Sequence, residues 1–191
     1  MQIRWTLYRI MGLAALCAVF WQVGCGSHTG HADSTEVPTP ANAASTTNVS
    51  LQILDYNGIQ KLIADHRGQV VVLDCWATSC PPCIEEFPKL VALHKKYDPA
   101  QLACISLSFD FEGLGKPEDV QADVLKFLQT HGAAFDNILC SESSDALLKK
   151  LNLASIPAVF VYDRQGNVHR FEGSKAYEEV PALIEKLITT P

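Results

Sequence analysis

One stretch of the chain is apolar without a break: Val70-Val71-Val72-Leu73, closed by Asp74 and Cys75. A short β-branched run of this kind reads as a strand buried on both faces of a sheet. Around it the hydrophobic pattern switches between two periods. Val49 to Leu54 alternates weakly and predicts a short leading strand. Asn57 to His66 sets Ile59, Leu62 and Ile63 on one helical face, and Gly68 ends that helix. A second helix begins at Ile84, with Ile84, Phe87 and Val91 on one row and Leu90, Leu93 and Tyr97 on the next. Pro88 inside it predicts a kink, and Asp98-Pro99 stops it. Leu102 to Phe109 reads as a strand, Glu118 to His131 as a helix with Val120, Val124, Phe127 and Leu128 inward, Phe135 to Cys140 as a short strand, and Ser144 to Leu151 as a helix. Ala158 to Tyr162 and Val168 to Glu172 form a hairpin around Asp163-Arg164-Gln165-Gly166. Tyr177 to Ile188 closes the chain with Val180, Leu183, Ile184 and Leu187 inward. This alternation predicts an α/β domain, a central mixed sheet with helices on both faces.

The first 48 residues do not belong to that pattern. Arg4 and Arg9 flank the start of an apolar run, Ile10 to Val23, which is short for a membrane span and has the length of a signal h-region. Residues 1–24 therefore read as a signal peptide. The run ends Gln22-Val23-Gly24-Cys25, and small residues before a cysteine resemble a bacterial lipoprotein cleavage site, with lipidation at Cys25. Gln22 stands where the usual leucine would be. Ordinary signal cleavage and an uncleaved anchor helix are the other readings. All three place the domain outside the cytoplasm, membrane-tethered in two of them. Residues 25–48 are rich in Ser, Thr, Ala, Pro and Gly, cannot bury enough surface to offset their ordering entropy, and read as a disordered tether. His28 and His31 within it do not make a metal site. The folded domain is 49–191.

The chain has 191 residues, of which 48% are hydrophobic, enough for one domain with a substantial core. It carries 15 Lys and Arg against 21 Asp and Glu. The first 24 residues hold two arginines and no acid, so the remainder is more acidic still. An acidic surface argues against a nucleic-acid partner. Of the seven cysteines, Cys17 and Cys25 lie in the amino-terminal region. Cys75, Cys80, Cys83, Cys104 and Cys140 lie in the domain, an odd number, so at least one thiol there lacks an intrachain partner.

The chemistry centres on Cys80-Pro81-Pro82-Cys83, placed where the buried strand gives way to a helix. The spacing closes a small disulfide ring across the first turn. The helix start supplies unpaired N–H groups and a positive dipole end that favour a thiolate. The prolines fix φ where a missing N–H costs little. Cys80 is the candidate nucleophile and Cys83, one turn in, the resolving thiol. The competing readings are a structural disulfide or half a zinc site, and zinc needs further ligands at a spacing the other cysteines do not offer. Asp74 closes an apolar strand, which predicts desolvation and a raised pKa; the alternative is a solvated strand-end carboxylate. Glu85 and Glu86 suit the helix dipole and read as solvated first-turn acids. Cys104 and Cys140 fall on strands predicted to be neighbours, where a second disulfide and buried free thiols are both open. His66, His94, His131 and His169 show no ligand spacing, and Gly113-Leu114-Gly115-Lys116 has the wrong spacing for a phosphate loop. No metal or cofactor is expected.

Taken in order, Asp74, Trp76, Cys80, Cys83, Pro88, Ile156-Pro157, Gly166 and Gly173 resemble the thioredoxin superfamily, and within it the exported TlpA/ResA-type thiol-disulfide oxidoreductases. The resemblance runs from about Val49 to the end, with Glu118 to Cys140 matching the extra helix and strand of TlpA-like proteins. It implies a thioredoxin-like fold, a cis bond before Pro157, and a strand-like docking of substrate on the backbone of Ile156 beside the dithiol. It implies that Asp74 trades a proton with Cys83, while Trp76, a residue type more often used for packing than catalysis, reads as a wall of the site. It further implies a reductase fed by a membrane electron donor of the CcdA/DsbD type, acting on disulfides of exported proteins such as apocytochrome c. Three residues depart from the family pattern. Ser79 replaces a tryptophan before the first cysteine, Ala158 replaces the threonine after the cis-proline, and Cys75 replaces an apolar residue. An oxidant is the reverse reading of the same chemistry. A copper chaperone on this scaffold would space its cysteines more widely and add a histidine. A thiol peroxidase would place a threonine three residues before its cysteine, whereas Thr78 is two before Cys80.

Overall fold

The uninterrupted apolar run becomes the strand β2 (Val70–Trp76), every residue of which is buried. The computed structural model describes residues 48–189. The expected signal segment 1–24, the tether up to residue 47, and Cys25 lie outside the described residues. The remaining elements are β1 (Gln52–Leu54), α1 (Tyr56–Asp65), α2 (Pro81–Lys96), β3 (Leu102–Ser108), α3 (Glu118–His131), β4 (Asp136–Cys140), α4 (Ser144–Leu151), β5 (Ala158–Tyr162), β6 (Val168–Glu172) and α5 (Ala176–Thr189). They form one six-stranded mixed sheet in the order β1-β4-β3-β2-β5-β6. The strands β1, β4, β3 and β2 run parallel, and β5 and β6 are antiparallel additions. The helix α3 and the strand β4 are the insertion expected from the sequence, and β4 lies between β1 and β3.

Alternation along β2 divides its side chains between two layers. Val71, Leu73 and Cys75 pack with Ile59 and Ile63 of α1 and Leu147 and Leu151 of α4. Val70 and Val72 pack with Leu90 and Leu93 of α2 and Val180 and Ile184 of α5. A third cluster joins Trp76, Cys83, Phe87 and Val91 to Val124 and Leu128 of α3. The helices therefore cover both faces. Because β2 and β3 are parallel, their carboxyl ends, Trp76 and Ser108, lie side by side. Active sites of open α/β sheets gather at that edge.

Local chemistry sets the ends. Asp55 caps α1 by accepting from Gly58 N–H at 2.8 Å, and Ser143 caps α4 by accepting from Ala146 N–H. The α3 helix stops at Gly132, whose φ of 66° needs no side chain to be accommodated. Ile84 is only half-buried, because the inward stripe of α2 runs through Cys83, Phe87 and Leu90 and leaves Ile84 on its shoulder. The helix α2 runs from Pro81 to Lys96 with Pro88 inside it, on its exposed side, where water can serve the carbonyl that loses a donor.

Candidate active site

The strand β2 delivers the chain to the sheet edge, and Ala77 to Ser79 turn it into α2. Cys80 is the N-cap residue of that helix, with Pro81 and Pro82 at its first two positions. Those two positions would have orphan N–H groups in any case, so the prolines sacrifice nothing. Cys80 and Cys83 are bridged, with an S–S distance of 2.03 Å and Cα atoms 5.3 Å apart. The Cys83 N–H donates to Cys80 Sγ at 3.3 Å. The same donor is aimed at the sulfur that would carry negative charge after reduction, and the helix dipole adds to it. Cys80 is half-buried, whereas Cys83 is 2% exposed. Only the first sulfur is open to another molecule.

Asp74, on β2 two residues before Trp76, is 3% exposed. Its Oδ2 accepts the Tyr177 hydroxyl at 3.0 Å. Burial pushes its carboxyl up to about 7, the Tyr177 hydrogen bond works against that rise, and the charge of Glu86 adds to it. Glu86 lies on α2 three residues after Cys83. The expectation of a solvated Glu86 is corrected. Its side chain is 14% exposed, Oε1 takes Lys89 at 2.7 Å, and Oε2 is buried without a hydrogen-bond partner. The cause is its place on the helix, three residues after buried Cys83 and four before buried Leu90, which sets it beside the inward stripe.

Trp76 is fully buried. Its indole stacks on Phe127 at 4.5 Å between centroids and meets Phe87 at 4.9 Å. It shares a buried cluster with Cys83 and offers no face to a docked molecule. The Ile156-Pro157 peptide bond is cis. Pro157 is buried, and Ile156 is half-buried against the two clusters on whose edges Cys80 also lies.

Asp110 was not legible as a site residue. It follows β3, and its carboxylate accepts the Thr78 N–H at 2.9 Å together with the hydroxyls of Thr78 and Ser108. It ties the turn that presents Cys80 to the end of the neighbouring strand. Its position directly after a parallel strand was the only available signal. Removing it in Asp110→Ala leaves the Thr78 N–H without its acceptor, and is expected to cost about 1–3 kcal/mol of stability in urea denaturation of the oxidised protein.

Cys104 and Cys140 do lie on adjacent strands but point to opposite faces, Cys104 with the α2/α5 layer and Cys140 with the α1/α4 layer. A bridge between them is ruled out by that parity. Cys75, Cys104 and Cys140 are buried free thiols. Burial raises all three thiols, Cys104 to about 12, so they are held in the unreactive protonated form. Among the described residues no group of three or more His, Cys, Asp or Glu is placed to hold a metal ion.

A half-exposed sulfur bridged to a buried one at the start of a helix, on this sheet, defines a thioredoxin-like thiol-disulfide oxidoreductase. The chain belongs to the AhpC/TSA family, whose sequence profile matches residues 43–171. It is similar to the thiol-disulfide oxidoreductase ResA of Geobacillus kaustophilus (strain HTA426), 25% identical over 148 residues that cover 77% of this chain and 79% of that one. It is also similar to ResA of Bacillus thuringiensis subsp. konkukian (strain 97-27), 22% identical over 182 residues and 95% of each chain. Among solved structures, a thiol-disulfide isomerase from Corynebacterium glutamicum superposes with a TM-score of 0.58 at 22% identity, covering 68% of this chain and 86% of that one. A secreted Mycobacterium tuberculosis disulfide oxidoreductase homologous to E. coli DsbE gives 0.51 at 17% identity, covering 65% and 86%. The structural likenesses share the fold.

Proposed function

We propose that this chain reduces disulfides of exported proteins, working outside the cytoplasm from a lipid anchor at Cys25. The observation that carries the redox reading is the unequal exposure of the two bridged sulfurs at the mouth of α2. In the reduced enzyme the Cys80 thiolate attacks one sulfur of a substrate disulfide. A mixed disulfide forms and one substrate thiolate leaves. Cys83 gives its proton to Asp74, attacks Cys80 Sγ and releases the second substrate thiolate. The substrate is reduced by two electrons and the dithiol is left bridged. A membrane electron donor of the CcdA/DsbD type then restores the two thiols. The substrate chain lies extended against the backbone of Ile156, next to Pro157, while Trp76 keeps the back of the site dry. Apocytochrome c is one substrate of suitable chemistry. Among the described residues no helix is long and apolar enough to cross a membrane, and the tether reading assigns membrane attachment to the amino terminus.

The test is a competition. Reduced protein is offered a protein disulfide, oxidised insulin, and hydrogen peroxide in separate reactions. Rapid consumption of the disulfide with slow loss of peroxide is expected, and the reverse order would replace the reductase reading by a peroxidase. Full-length expression in a bacterial host with a labelled fatty acid checks the anchor: label is expected on the wild type and absent from Cys25→Ser.

A further inference from the structure

Tyr177 stands at the start of α5 and is 6% exposed. Its ring belongs to the layer that includes Val72, Leu90, Val159 and Val180. A phenol hydroxyl so deeply buried is costly unless it is hydrogen-bonded. Here it donates to Asp74 Oδ2 at 3.0 Å, joining residues 103 apart in sequence. An ionised carboxylate is a stronger acceptor than a protonated carboxyl, so a fixed donor favours the charged form.

The other groups facing Asp74 act in the opposite sense or are neutral. From α2 comes Glu86, whose charge opposes a second negative charge nearby. Lys89 of α2 is engaged with Glu86 and lies 5.9 Å above the Tyr177 ring, not on Asp74. From β3 comes the Cys104 thiol, and on β2 itself the neighbouring Cys75 thiol, both held protonated by burial. Tyr177 is the group whose contact lowers the Asp74 carboxyl, against burial and Glu86.

We propose that Tyr177 is a positioning residue for the proton chemistry of the dithiol: its hydroxyl fixes the Asp74 carboxyl and favours its ionised form, so that Asp74 is free to take the proton Cys83 gives up. The phenol keeps its own proton throughout. The proposal rests on the role assigned to Asp74 above.

Tyr177→Phe removes one hydroxyl and leaves the ring. The Asp74 carboxyl is followed by isotope-edited NMR across pH in the oxidised protein, and the rate of dithiol oxidation is followed across pH in the reduced protein. The Asp74 titration is expected to rise by about one pH unit, the size of one hydrogen bond to a charged group. The inflection of the rate profile is expected to rise with it, and Tyr177→Phe should add nothing in an Asp74→Asn background. An unmoved carboxyl titration overturns the proposal while leaving Asp74 its role. A moved titration with a rate profile that Asp74→Asn does not alter removes Asp74 from the reaction, and the proposal falls with it. Should Tyr177→Phe not fold, fluorotyrosine incorporation tests the same bond with the opposite sign: a more acidic phenol donates more strongly, and the Asp74 titration is expected to fall. No movement there overturns the proposal equally.

Discussion

Cys80→Ser is expected to reduce disulfide exchange to background, and Cys83→Ser to react once and remain covalently bound to its substrate. The two variants differ because the two sulfurs differ. Cys80 is half-buried at the N-cap of α2, where the Cys83 N–H points at it, and Cys83 is 2% exposed in the cluster with Trp76 and Phe87. A serine hydroxyl at position 80 is not ionised near neutral pH and cannot attack sulfur. A serine at position 83 leaves the first step intact and removes only the thiol that releases the product. With a disulfide-containing protein in excess, non-reducing mass analysis is expected to show one substrate per Cys83→Ser molecule and none on Cys80→Ser. A stable adduct on Cys80→Ser through Cys83 would reverse the assigned roles. The buried thiols of Cys75, Cys104 and Cys140 should form no adduct in the folded protein.

The second large effect is on stability. The Asp74 carboxyl lies near 7 in the folded protein against 3.8 when unperturbed. The folded state therefore holds a proton that the unfolded state has already lost between those two values. The contribution is fully present below about pH 4 and is lost as pH rises through about 7, reaching about 4 kcal/mol at alkaline pH for a fully buried group. Asp74→Asn cannot ionise and escapes this loss. In urea denaturation of the oxidised forms, the variant is expected to gain on wild type from pH 4 to pH 8.5, by up to that amount, and to show no such gain below pH 4. Parallel stability curves for the two proteins across that range would mean that Asp74 is not desolvated.

Much of this molecule can be read from the pattern along the chain. The apolar run became the central strand. The helix from Glu118 to His131, the helix from Ser144 to Leu151 and both strands of the hairpin have the bounds their periodicity predicts. The dithiol was legible because its chemistry depends on neighbours in sequence: two sulfurs, two prolines and a helix start. What escaped depends on distance in space. Asp110 reaches Thr78 across 32 residues and Tyr177 reaches Asp74 across 103, and no local pattern encodes either pairing. Glu86 looked like a solvated first-turn acid because the inward stripe was read from Ile84, whereas it runs from Cys83 through Leu90 and has Glu86 beside it. Cys104 and Cys140 could be placed on neighbouring strands, but their opposite faces follow from register, which the pattern does not supply.

The dithiol itself is tested most directly by equilibrium with glutathione. The purified chain is brought to a series of glutathione poises, its thiols are quenched by alkylation, and each cysteine-containing peptide is weighed. Cys80 and Cys83 are expected to convert together and reversibly in one two-electron step, with Cys75, Cys104 and Cys140 reduced throughout. A Cys80–Cys83 pair that stays unbridged at every poise, or that once bridged no reductant reopens in the folded protein, would contradict the account.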